Sequence, residues 1–180
     1  MLKALRRYGR EKTASVAVEF AFIAPILIAL FFATVEVTEA LDCRARITNA
    51  VGTAADLTAQ ETSVSVSDLD SIYAATQAIL YPQDTTKIKL TISSIKDNNS
   101  GGGGTVAWSY AKNGTARATG SVVSLPSGLI VSGSGGSVIL AEISYAYTSP
   151  SAEFLTGTIT MTGSFYSRPR RALAVTCNGC

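Results

Sequence analysis

Hydrophobic and polar positions follow different periods in different parts of the chain. From Val16 to Val35 the sequence is VAVEFAFIAPILIALFFATV, apolar at nearly every position, with Glu19 its single charge. At ~1.5 Å per residue, a helix of about twenty residues spans roughly 30 Å, the hydrocarbon thickness of a bilayer. The run therefore predicts one transmembrane helix, placed with its flanks at residues 15–41. A cleaved secretory signal has a shorter apolar core followed by a small-residue cleavage site, which is missing here. A buried helix of a soluble domain does not explain the basic block directly before it: Lys3, Arg6, Arg7, Arg10 and Lys12, opposed only by Glu11. That excess of Lys and Arg makes residues 1–14 a basic cytoplasmic leader and puts everything after about residue 41 on the other side of the membrane.

Beyond the apolar run the helical period persists. Val37, Leu41, Ile47 or Thr48, Val51, Ala54 and Leu57 recur at three- and four-residue spacing, with Glu39, Asp42, Arg44, Arg46 and Asp56 largely elsewhere. One long helix is expected, from the membrane to about residue 60. A second starts at Ser67-Asp68-Leu69-Asp70, with Ser67 as cap, Leu69, Ile72, Thr76, Ile79 and Leu80 as its apolar stripe, and Pro82 as its stop. From residue 87 the period becomes two. Ile88, Leu90 and Ile92 alternate with polar residues, as do Val106, Trp108 and Tyr110, and further strands are expected in 120–125, 138–147 and 156–166, with Ile159, Met161 and Phe165 on one face. DNNSGGGG (97–104) reads as a flexible hairpin tip, Asn113-Gly114 as a tight turn and VSGSGGS (131–137) as a loop. The fold class is α+β: a long N-terminal transmembrane helix leading into a domain at 42–180, helical over 42–82 and an antiparallel sheet over 85–180.

Composition narrows the chemistry. The 180 residues carry a formal charge of +2, too small for a nucleic-acid footprint, and no histidine, which removes Ser-His-Asp and Cys-His nucleophiles and the His-containing zinc sites. Neither Gly-rich stretch has the Lys-Ser/Thr of a phosphate cradle or a helix after it. Asp68 and Asp70 read as helix-start acids. Glu142 and Glu153 are the acids a glycosidase-like pair would need, and nothing in the sequence brings them together. No cofactor and no metal are expected, and the chain is read as a non-enzyme.

Glu19 lies one turn inside the span. A charge at the centre of a membrane helix costs about 2.5–3.5 kcal/mol, and less near an end, so the acid is either tolerated at the interface or has a partner within the membrane. A cut between Ala14 and Ser15 would make Glu19 the fifth residue of the new chain. The freed α-amino group, cationic at neutral pH, could then be neutralised by Glu19 of a neighbouring subunit, a pairing strengthened by low dielectric.

The basic tail followed by TASVAVEFAFIAPILI (residues 13–28) resembles the N-terminal segment of the TadE/TadG family, pilin-like proteins of the tight-adherence (Flp) pilus machinery within the type IV pilus class. Glu19, Phe20 and Ala24-Pro25 stand at the matching places, Glu36 fits the usual ending of the apolar run, and SRPRRALAVTC (167–177) resembles the closing segment. The chain departs from the pattern at Ala14, where Gly is usual. The resemblance implies cleavage of Ala14–Ser15 by an intramembrane aspartic prepilin peptidase, Glu19 and Phe20 as register and assembly residues, and other pilins and pilus assembly proteins as partners. It also implies a minor pilin or pseudopilin role, or an uncleaved single-pass anchor of the same machinery acting as scaffold or adhesin. Pro25 is either tolerated within lipid or a kink that helps the helix pack.

Cys43, Cys177 and Cys180 are the three cysteines. Outside the cytoplasm disulfides persist, so a bond from Cys43 to Cys177 or Cys180, or one between Cys177 and Cys180 that leaves Cys43 free, is expected. The spacing of the residues leaves both open.

Overall fold

The computed structural model describes residues 12–98, 103–130, 133, 135–149, 154 and 157–180. The basic residues Lys3 to Arg10, the loop tip at 99–102, part of the 131–137 loop and Glu153 lie outside the described residues. The architecture is α+β. Helix α1 runs Lys12–Gln60 and helix α2 runs Val66–Leu80. The strands are β1 Ser63–Ser65, β2 Ile88–Asp97, β3 Gly103–Lys112, β4 Val122–Ser124, β5 Ser137–Thr148, β6 Thr158–Ser167 and β7 Thr176–Asn178, with a 3-10 turn at Thr85–Lys87. Five strands form one sheet in the order β4-β3-β2-β5-β6, while β1 and β7 pair in parallel as a separate ribbon.

The chain divides into two compact units, one comprising α1 up to Ala40 with Thr148–Gly157, the other Leu41–Tyr147 with Thr158–Cys180. In the second unit the core lies between the sheet and the helices. Alternation puts Ile88, Leu90 and Ile92 of β2, Val106, Trp108 and Tyr110 of β3, and Ile143, Tyr145 and Tyr147 of β5 inside. β2 pairs antiparallel with both β3 and β5, so its apolar residues meet partners on either side. A register shift between Ser94 and Ile95 interrupts the pairing of β2 with β3, while its pairing with β5 continues unbroken, and alternation puts Ile95 on the opposite face from Ile92. Ile95, Val138, Leu140 and Leu125 form a smaller apolar cluster of their own, with Val123, Ile130 and Tyr166 against it.

The expected stripe on α1 holds at Ile47, Val51 and Ala54 and fails at its two ends. Val37, Leu41 and Leu57 are exposed, and the buried positions are Cys43, Ile47, Ala50, Val51, Ala54, Ala55 and Ala59. Small residues dominate because the helix lies close to the sheet: a Cβ added to Gly163 of β6 would sit 3.1 Å from Ile47. On α2 the stripe holds at Leu69, Ile72, Thr76 and Leu80, Tyr73 joins it, and Ile79 is only half-buried.

The cap of α2 also differs from expectation. Ser65, not Ser67, is the N-cap: its side chain accepts from the Asp68 amide, and the Asp68 carboxylate accepts the Ser65 amide at 2.8 Å, a reciprocal capping box. Serines at 63, 65 and 67 all qualify by residue type; Asp68 selects the one three positions before it. At the end of β3, Asn113 adopts φ 56°, the left-handed conformation a tight turn needs, and its Nδ2 donates to the Ile88 carbonyl and the Tyr73 hydroxyl.

Candidate functional site

Residues 15–41 of α1 set the first unit apart. Among the described residues α1 is the one helix long and apolar enough to cross a membrane, with mean hydropathy 2.5 over its best 18-residue window, and none of that window is buried. Phe20, Phe22, Ile26, Leu30 and Phe31 all stand exposed, Phe22 to 75%. Removing one such side chain from water contributes about 1.5–3 kcal/mol, so a continuous surface of them demands an apolar environment.

Glu19 is exposed on this surface. Ser15 Oγ lies 3.4 Å from its Oε1, one helical turn earlier, a long and weak hydrogen bond. Among the described residues no cation stands within ion-pair distance of Glu19. Ala14 belongs to the same helix as Ser15, and α1 continues without interruption through Pro25. Proline there lacks the N–H that would bond the Ala21 carbonyl.

Glu36 is the residue the sequence undersold. It stands at the close of the apolar run with exposed Val35 and Val37 beside it, yet its own exposure is 0%. The carboxylate Oε2 accepts the backbone N–H of Phe154 at 3.0 Å. A buried acid needs such a donor, because an unpaired carboxylate away from water is costly. The only signal in the sequence was a second acid where the apolar run stops.

The cysteines divide between roles. Cys177 and Cys180 are disulfide-bonded, and Cys43 is free and buried. The bond therefore ties nothing to α1. Burial pushes the Cys43 thiol above its ordinary pKa, with the neighbouring Asp42 charge adding to the effect.

Of the other acids, Glu142 is held by Arg117, whose Nη2 donates to both carboxylate oxygens at 2.7 Å, and Glu153 lies outside the described residues. Asp70 is not part of the cap: its carboxylate accepts from Lys112 Nζ at 2.7 Å and Tyr110 Oη at 2.6 Å. These bonds hold it below the usual carboxylate range, Lys112 first. Among the described residues no cluster of three or more His, Cys, Asp or Glu side chains is placed to hold a metal.

Comparison with known proteins gives one result. Residues 14–56 match the sequence model of the TadE-like protein family, a match that begins at Ala14 and takes in Glu19, Pro25, Glu36 and Cys43. No curated protein and no solved structure matches the chain.

Proposed function

We propose, from the TadE-like segment at residues 14–56, that this chain is a membrane-anchored minor pilin or pseudopilin of a tight-adherence pilus system. The supporting observation is the unburied apolar surface of α1 with the exposed acid Glu19 near its start. In a bacterial inner membrane the span puts the basic leader in the cytoplasm and residues 42–180 in the periplasm. A prepilin peptidase cuts between Ala14 and Ser15. The new α-amino group of one subunit then meets Glu19 of the next, and Phe20 packs beside that pair. An ion pair of this kind fixes the axial register of neighbouring helices, since a slip of one residue moves both charges apart by ~1.5 Å along the axis.

The test is direct. Protein extracted from membranes of a host with the active peptidase is sequenced from its N-terminus, and a start at Ser15 is expected. A start at Met1 removes the processing step and leaves a permanent anchor. In the same host, Glu19→Ala should insert normally and fail to co-purify with assembled pili. Undiminished incorporation would end the register role.

A further inference from the structure

The outer face of the sheet in the second unit changes character along β5. Val138 and Leu140 project into the small apolar cluster, whereas Glu142 and Ser144, two and four residues further on, line an open groove of about 470 Å³. β2 supplies Lys89 and Thr91, which pair in register with Ser144 and Glu142. β6 adds Thr162 and Ser164, and the turn after β3 adds Thr115. Gly114, beside Lys89 and Thr91, completes the wall without a side chain and leaves backbone open to close approach. Five hydroxyls thus surround one ammonium and one carboxylate, and no aromatic ring lines the space.

The charges are not equivalent. Glu142 is fixed by the Arg117 fork, which neutralises it while leaving acceptor capacity on its oxygens. Among the described residues the Lys89 ammonium has no hydrogen-bond or ion-pair partner. The groove therefore holds one uncompensated positive charge among groups that both donate and accept. A ligand that satisfies it is anionic and rich in hydroxyls; the one large apolar residue of the lining, Ile143, is buried in the core and offers an apolar or aromatic ligand little surface.

We infer that this groove binds a carboxylated saccharide, its carboxylate on Lys89, its hydroxyls on Thr91, Thr115, Ser144, Thr162, Ser164 and the free lone pairs of Glu142. The chain then has a sugar-acid recognition site on its sheet, separate from the helix that anchors it. Without an aromatic platform the affinity of one site is low, and repeated copies of chain and sugar raise it through effective concentration.

Full-length protein in detergent micelles is titrated with oligogalacturonate, and with neutral dextran as the control. Saturable binding of oligogalacturonate in the millimolar range or tighter is expected, weakening as NaCl rises, with no binding of dextran. Lys89→Gln should weaken binding roughly tenfold with an unchanged melting temperature, Lys89→Arg should retain most of it, and Arg44→Gln, which removes an exposed charge elsewhere, should leave it intact. Equal binding of dextran, an unchanged affinity in Lys89→Gln, an equal loss in Arg44→Gln, or no binding at tens of millimolar overturns the assignment. None of these readouts involves cleavage at Ala14 or assembly through Glu19, so this site and the pilus role fail independently.

Discussion

The carboxylate of Glu36 accepts the main-chain N–H of Phe154 at 3.0 Å, joining residues 118 positions apart within the first unit. An acid at the end of the apolar run thereby holds the backbone at Phe154. Replacing Glu36 by Ala removes the acceptor of this part-buried amide, at a cost of about 1 kcal/mol, whereas Gln keeps an acceptor of similar shape. Limited proteolysis of micelle-embedded protein should show faster cutting between 148 and 157 in Glu36→Ala and near-native rates in Glu36→Gln. Equal rates in both variants would show that the hydrogen bond does not restrain the chain at Phe154.

Gly163 limits how closely β6 approaches α1. A Cβ there would stand 3.1 Å from Ile47 and 3.4 Å from Val51. Gly163→Val is expected to lower stability by about 1–3 kcal/mol through overpacking. Thermal melts of the wild type and the variant, followed by near-ultraviolet circular dichroism, check it, and the double variant with Ile47→Val should recover part of the loss.

Asp70 titrates below its ordinary value of 3.8 because Lys112 and Tyr110 bond its charged form. A carboxylate with a depressed folded-state pKa favours the fold above the unfolded value and loses that contribution as pH falls through the folded one. Asp70→Asn should therefore melt below the wild type at pH 7, and the gap should close below about pH 3.8. Asp68 and Asp84 are depressed as well and titrate in the same window, so the comparison is between variants at each pH rather than of one protein across pH.

Tyr145 behaves in the opposite sense at alkaline pH. Burial first, then the nearby Cys43 and Asp84 charges, push its hydroxyl up to about 12 from an ordinary 10.0. Between those values the unfolded chain is ionised and the folded one is not, so stability falls as pH rises through that range. Tyr145→Phe, which keeps the ring and removes the titrating group, should show a shallower decline in melting temperature over the same interval.

The Cys177–Cys180 bond closes a ring of only four residues. On chain-entropy grounds such a ring stabilises by about 2 kcal/mol, against about 5 kcal/mol for a bond reaching back from Cys177 to Cys43. Reduction, or a Cys177→Ser/Cys180→Ser pair, should therefore shift the melting temperature by only a few degrees. Collapse of the fold on reduction would point to a longer-range link.

The features legible in the sequence are those that repeat. The apolar run, α2 and the alternating strands β2, β3, β5 and β6 announce themselves by period, as does the α+β class they compose. The three-residue strands β1 and β7 are too short to carry a period, and their parallel pairing joins distant segments, Ser63 to Thr176. The same limit hid the choice among Cys43, Cys177 and Cys180, the Glu36–Phe154 contact and the groove around Lys89. Each depends on which side chains the fold brings together across long stretches of chain; for the groove, the register of β2 on β5 decides it. Glu19 was conspicuous for the contrary reason: a charge within an apolar run stands out before any folding is considered.

The β1–β7 ribbon bears on the order in which this protein is made. β1 leaves the ribosome directly behind α1, while its partner Thr176–Asn178 is translated last among the strands, after the whole five-stranded sheet. Val175, just before β7, accepts the indole N–H of Trp108 at 2.8 Å, so a central strand also waits on late residues. During synthesis α1 must therefore be delivered to its apolar surroundings while the sheet still lacks its final contacts. A nascent chain stalled before residue 175 would be anchored yet unfinished, a natural substrate for a chaperone or a protease on the side where the sheet matures.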